Sequence, residues 1–260
     1  MSWLAVTSHP TCTQEENAHV EHLCSLGVHT VFVNFFDIYC PHNIQLYNWT
    51  CNVHTFHIRG MKGLFWKHKL IKKVVKFYNY IWLVDSDIRS NEINLDVISR
   101  RMNMYNISVS QPAVYITKES RGSDHAVLNI RRLKKLNCIA RRVHIVEVMS
   151  AMFTQAAWNG FHEMILEKLS DRQLCSDWGL SWAWCAMYGN CIVWYDQTII
   201  HRNTRLIEKT LKSPNRTCEV IRSPALRQYI QYRWFRNTTQ WNRKNYMKQE
   251  NCWISATKLV

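Results

Sequence analysis

Apolar residues along this chain fall into short unbroken runs and into stripes spaced three and four apart, and the two patterns alternate. "VHTVFVNFFD" and Tyr80 to Val84 are runs that predict buried strands, and Trp3 to Thr7 and "CNVHTFHI" predict two further strands. Between them, "QEENAHVEHLCSLG" carries apolar residues at helical spacing and ends on Gly27, a residue suited to closing a helix. "MKGLFWKHKLIKKVVKFY" sets Leu64, Phe65, Leu70, Ile71, Val74, Val75 and Phe77 against intervening lysines, which predicts one amphipathic helix with a basic outer face. The first half therefore reads strand, helix, strand, strand, helix, strand.

The second half continues the alternation. "NLDVISRRMNMY" predicts a helix, "ISVSQPAVYI" a strand ending near Ser110 to Pro112, "VHIVEVMSAMFT" a strand, and "QAAWNGFHEMILEKLS" an amphipathic helix. "SDWGLSWAWCAMYG" predicts a Trp-rich helix, and "NCIVWYDQTIIHRN" one or two strands ending at His201. Beyond about Glu208 the periodicity weakens into a basic, aromatic tail with helical character. This order defines an α/β fold, a mixed and mostly parallel sheet flanked by helices. The expected division is a domain over 1–208 and a C-terminal extension over 209–260.

Composition narrows the class. At 260 residues with 47% apolar content, the chain can bury a sizeable core and is not a disordered polymer. Lys and Arg outnumber Asp and Glu 33 to 19, a formal net charge of +14, so the surface attracts anions. The 10 Cys residues contain no C-x-x-C pair, which argues against a zinc ribbon, and they are expected as buried thiols. No stretch reaches the ~18 apolar residues of a membrane-spanning helix. The N-terminus lacks the basic, apolar pattern of a signal peptide. The expectation is a cytoplasmic protein whose tail could still touch a membrane surface.

The chemistry concentrates where "YNYIWLVDSDIRS" delivers an apolar strand to Asp85-Ser86-Asp87. Ligands in open α/β sheets sit at the carboxyl ends of strands. Asp37, Asp85, Ser86 and Asp87 all lie at such ends. Two like charges that close stay ionised together only with water or a cation between them. Asp-x-Asp (DXD) is a pair of hard oxygen ligands suited to Mg²⁺ or Mn²⁺, and the ion can hold a nucleotide diphosphate. Read without that ion, the acids are a solvated strand end, with Asp87 capping the helix after it.

The strand end, together with "GMK" (Gly60 to Lys62), "VSQPAV", "VEVMSAMFTQAAW", "SDWGLSWAW" and "VWYDQTIIHRN" in that order, resembles the domain-of-unknown-function 707 family of plants and bacteria. The resemblance covers roughly Trp3 to Arg205. It implies a GT-A-like glycosyltransferase with a nucleotide-diphosphate sugar donor, UDP-linked by default, and Mn²⁺ or Mg²⁺ as cofactor. It implies metal ligation by Asp85, Asp87 and the late His201, with Lys62 near the diphosphate. Asp37, by its position alone, is expected near the base or ribose.

An inverting transfer needs a base for the acceptor hydroxyl. Glu147, in an apolar run, and Asp177, before the Trp-rich helix, are the two candidates, with Trp178 beside the acceptor. The family form is close to "SGWGLDW"; this chain has "SDWGLSW", with Ser181 in the place of the acid. Asp177 is also well suited to capping that helix. The acceptor class is a glycan or glycoprotein. The competing readings are a basic protein that binds single-stranded nucleic acid, which no recognised motif supports, and an inactive transferase fold that binds sugar.

Overall fold

The computed structural model describes residues 1–9, 12–35, 49–58, 60, 62–116, 138–143, 145–171, 174, 178–189, 191–201 and 252–255. Ten strands form one mixed sheet: β1 (Trp3–His9), β2 (Thr30–Phe35), β3 (Asn52–Phe56), β4 (Tyr80–Asp85), β5 (Ile88–Glu92), β6 (Val109–Ile116), β7 (Cys138–Val143), β8 (Met152–Thr154), β9 (Cys191–His201) and β10 (Ile254–Ser255). Their order is β10-β7-β9-β6-β8-β4-β1-β2-β3, and β5 pairs with β9. The long ladders, β3–β2–β1–β4 and β6–β9, are parallel. The short β8 joins β4 to β6 in antiparallel sense to both.

The continuous apolar runs of β1, β2 and β4 follow from cover on both faces. Alternate residues feed two cores: Trp3, Ala5, Val31, Val33, Tyr80 and Trp82 one way, and Leu4, Val6, Phe32, Ile81 and Leu83 the other. Helices α1 (Gln14–Ser25) and α4 (Leu95–Met104) supply Val20, Leu23, Ile98 and Met102 to the first. Helices α2 (Lys62–Trp66), α3 (Lys69–Val75), α5 (Gln155–Met164) and α6 (Trp178–Tyr188) cover the second. Each such fully buried side chain is worth about 1.5–3 kcal/mol.

Local chemistry sets the helix ends. The Thr13 N–H donates to the Glu16 carboxylate at 2.9 Å before α1, which closes ahead of Gly27 at φ 88°. Asn94 and Thr154 accept from the backbone N–H groups of Val97 (3.0 Å) and Ala157 (3.3 Å) to start α4 and α5.

Three expectations about these elements change. The single helix expected over Met61 to Tyr78 is two, because His68 leaves the helical region and caps α3 by accepting from Leu70 N–H. The strand expected over Val143 to Thr154 shrinks to β8. Ahead of it Val148–Ser150 forms a 3₁₀ turn, with Glu147 at its start. Ser110 to Pro112 lies early in β6, not at its end. Pro112 has no N–H to give, and there the register jumps, so that Ala113 faces Thr198 while Pro112 faces Trp194. The looped-out residues are used. Asp196 pairs with Arg101 at 2.8 Å, and Gln197 accepts from Asn94 N–H at 2.8 Å.

The described cysteines are not the buried thiols expected. Cys24 is bonded to Cys51, Cys138 to Cys252 and Cys185 to Cys191. Residues 202–251, which hold the domain boundary expected at 208, lie outside the described residues. Cys252–Ser255 is tied to the sheet by its disulfide and by β10. No described helix is long and apolar enough to cross a membrane.

Candidate active site

Three strand ends meet at one sheet edge. The apolar residues of β4 carry the chain to Asp85, opposite Ser8 of β1. Ser86 and Asp87 make the turn, and Ile88, 1% exposed, starts β5 back along β9. Ile88 pairs with His201, and Ile116 at the end of β6 flanks the same residue. The turn therefore presents Asp87 to the His201 ring, with Oδ2 3.2 Å from Nε2.

Lys62, the first residue of α2, reaches the same edge and donates to both oxygens of Asp85. Its approach is fixed by Asn34 of β2. The Asn34 amide donates to Ile58 O at 2.9 Å and accepts from Ile58 N–H at 2.7 Å, which holds the chain leaving β3. Gly60 then turns at φ 128°, a conformation that side-chain-bearing residues rarely adopt.

The electrostatics match this crowding. Burial holds the Asp85 carboxyl above the usual carboxylate range. The Lys62 ammonium opposes that shift, the Asp87 charge adds to it, and His201 opposes it less. Lys62, Asp85, Asp87 and His201 are thus brought together. The donor types, two carboxylates and an imidazole, suit a hard divalent ion. As arranged, however, Asp85 is held by Lys62 and Asp87 by His201. Among the described residues no group of three or more His, Cys, Asp or Glu is set to hold a metal. The ion shell implied by the family resemblance is not preformed.

The other expected residues fall differently. Glu147 stands on the neighbouring segment, where its N–H donates to Gln111 of β6. Asp37 and Asp177 lie outside the described residues. Trp178 opens α6. Ser181 is 1% exposed within that helix. Trp184 is fully buried, with Phe153 4.9 Å and Phe161 5.6 Å away, so it packs the core. Ser86 acts through its backbone, its carbonyl accepting from Arg89 at 3.2 Å.

Sequence reasoning missed a buried pair beside the acids. His9 ends β1, and its Nε2 lies 3.3 Å from Nδ1 of His19 on α1. Burial lowers the His9 pKa to about 3; Arg89 contributes in the same direction and Asp87 against it. Burial, His9 and Arg89 also push His19 well below the ordinary imidazole range. Both rings are neutral at neutral pH. The signal was present in principle: His19 lies on the apolar stripe of α1, and His9 ends the run that forms β1.

No protein-family model matches the chain, and no curated protein does. Among solved structures, S. aureus TarS 1–349 in complex with UDP is similar at 14% identity and a TM-score of 0.50, over 77% of this chain and 60% of that one. The same TarS fragment without the complex is similar at 13% identity and a TM-score of 0.47, over 81% and 63%. A197 from STIV is similar at 11% identity and a TM-score of 0.42, over 77% and 81%. The chain spans less than two thirds of the TarS structures it resembles. At these identities the likeness is one of fold.

Proposed function

We propose that the chain is a metal-dependent glycosyltransferase of the GT-A-like type, moving a sugar from a nucleotide diphosphate to an acceptor hydroxyl. The observation that carries this reading is the convergence of Lys62, Asp85, Asp87 and His201 at the carboxyl edge of the sheet. The fold it shares with TarS, whose structure holds UDP, supports a UDP-sugar as the donor. The catalytic domain is 1–208, with 209–260 as an extension.

Asp87, Asp85 and His201 would hold Mn²⁺ or Mg²⁺, which neutralises charge developing on a diphosphate leaving group. Lys62 exchanges its bond to Asp85 for one to the diphosphate, a charge-assisted contact of the same kind. That exchange would leave the Asp85 carboxylate available as a ligand for the ion. Asp37 meets the base or ribose, and Ser86 shapes the turn between the acids. Asp177 or Glu147 takes the proton from the acceptor hydroxyl, with Trp178 against a glycan or glycoprotein acceptor.

One observation favours a second reading. Ser181, which stands where the resembled family carries an acid, has almost no exposure, which suits a fold that binds nucleotide sugar without transferring it. A screen of nucleotide sugars with Mn²⁺, read by released nucleotide diphosphate, separates the two. The transferase reading requires release that Asp87→Ala abolishes and that either Asp177→Ala or Glu147→Gln reduces by about 10²-fold or more. Binding of donor with no release, in the presence of candidate acceptors, supports the second reading.

A further inference from the structure

The disulfides join separate elements of the fold. Cys24 at the end of α1 meets Cys51 before β3, Cys138 of β7 meets Cys252 before β10, and Cys185 of α6 meets Cys191 of β9. Cys12 is disulfide-bonded too. Among the described residues no cysteine is left as a free thiol. Glutathione and thioredoxin keep cytosolic thiols reduced, whereas bridges form and persist in the endoplasmic reticulum and beyond it. A fold with every described cysteine in a bridge fits an oxidising compartment.

In such a compartment of a eukaryotic cell, Asn-x-Ser/Thr is an acceptor of N-linked glycan. The sequence holds four such triplets, at Asn48, Asn106, Asn215 and Asn237. Asn106 is the one among the described residues, and its setting is that of an acceptor. It is exposed and sits just past the end of α4 at φ 50°, a left-handed position that asparagine tolerates. Its backbone is anchored, with the Asn106 N–H donating to Asn103 O at 3.2 Å and the Ile107 N–H to Met102 O at 2.8 Å. Ile107 is buried at 1% exposure. The Asn106 side-chain amide makes no hydrogen bond among the described residues, so modifying it breaks no bond among them. Asn106 precedes β6, whose far end flanks His201. The length of that strand separates the two by on the order of 20 Å. A bulky glycan at Asn106 leaves the acidic edge open.

We propose that this chain matures in an oxidising, N-glycosylating compartment and carries a glycan on Asn106. The co-reactant is the lipid-diphosphate-linked oligosaccharide of that compartment. A bond forms between the Asn106 Nδ2 and the anomeric carbon of the sugar, the anomeric carbon–oxygen bond to the lipid diphosphate breaks, and the amide gives up one proton. This inference is independent of the transferase reading, because it rests on the cysteines and on a turn at the opposite end of the sheet.

The test is to produce the full chain behind a secretion leader in an N-glycosylating host, and in parallel without it. Peptide N-glycosidase treatment of the secreted wild type should lower its mass and leave the deamidation mark at Asn106. Asn106→Gln and Ser108→Ala should each remove that one step, while Ser108→Thr keeps it. Ser108→Ala preserves Asn106 itself, so it carries the test if Asn106→Gln fails to fold. The cysteines of the secreted chain should resist alkylation until reduced, and the cytosolic form should melt lower. A secreted, folded chain with Asn106 unmodified overturns the site. Cysteines that alkylate without reductant, or a chain that folds in the cytosol and misfolds in the lumen, overturn the compartment.

Discussion

Asp87 and His201 lie far apart in sequence, yet Oδ2 of one is 3.2 Å from Nε2 of the other, because Ile88 and His201 are direct partners across the β5–β9 ladder. The contact is largely buried, at 9% and 17% side-chain exposure, and as a single hydrogen bond its own net stabilising effect is about 1 kcal/mol. Its chemical use is larger. Asp87→Ala should leave the fold intact while removing ligand-linked stability. With Mn²⁺ and UDP together at 100 times the dissociation constant, the wild type gains about 2.7 kcal/mol. Thermal melting should show that gain for wild type, neither component alone should give it in full, and Asp87→Ala should show none. An equal shift in the variant removes Asp87 from the site.

Lys62 is the counter-charge for Asp85, and both are largely buried, at 14% and 20% side-chain exposure. Removing one partner of such a pair leaves the other uncompensated. Lys62→Met should cost about 2–4 kcal/mol near neutral pH. The sign with pH follows from Asp85, whose folded carboxyl titrates above its unfolded value. The stability is present below the unfolded pKa and is lost as pH rises through the folded one. The variant should therefore be closest to wild type in mild acid and furthest from it in mild base. Adding Asp85→Asn to Lys62→Met should recover most of the loss in urea melts. If the double variant is no better than the single one, the pair is not what Lys62 stabilises.

His9 and His19 make the opposite prediction. Both titrate far below their unfolded value, His9 at about 3, because they are buried beside Arg89, with His22 also acting on His19. Between pH ~6.5 and ~3 the unfolded chain binds more protons than the folded one, so stability falls with pH across that window. The wild-type melting temperature should drop steadily from pH 7 to pH 5. His9→Gln should flatten the slope by removing one of the two groups. A slope unchanged in that variant would place the acid sensitivity elsewhere.

The sequence makes the central strands and the site edge readable, and physics says why. β1, β2 and β4 are covered on both faces, so their residues are apolar without alternation and stand out. Asp85 and Asp87 are visible because a charge interrupts such a run. What stays hidden depends on distance in the chain. No local pattern says that Ile88 pairs with His201, or that Lys62 reaches Asp85 rather than water. The break at His68 turns on one residue's φ and ψ inside an otherwise good helical stripe. β7 begins in a basic stretch, "NCIARR", whose alternation is short, and β10 is only two residues long. His9 reads as the edge of a loop because the proline after it marks a turn, and its burial becomes plain only once α1 packs over it.

The disulfides give the sharpest comparison between two named pairs. In the loop-closure account a bridge stabilises by restricting the unfolded chain, and the effect grows with the loop it closes. Cys138–Cys252 spans 114 residues and Cys185–Cys191 spans 6. Replacing the first pair by alanines should cost about 5 kcal/mol and the second about 2 kcal/mol. The long bridge has a structural consequence as well. β10 contributes only Ile254 and Ser255 to the edge of β7, a short pairing joined by the Trp253 N–H bond to Ala140 O at 2.9 Å, so the disulfide beside it is the main tie. C138A/C252A should therefore release the C-terminal segment to protease before the rest of the domain unfolds, with Ile254 leaving the core. C185A/C191A should melt as one unit with its tail still protected. Equal losses for the two variants, or a protected tail in C138A/C252A, would mean that β10 is held by something other than its disulfide.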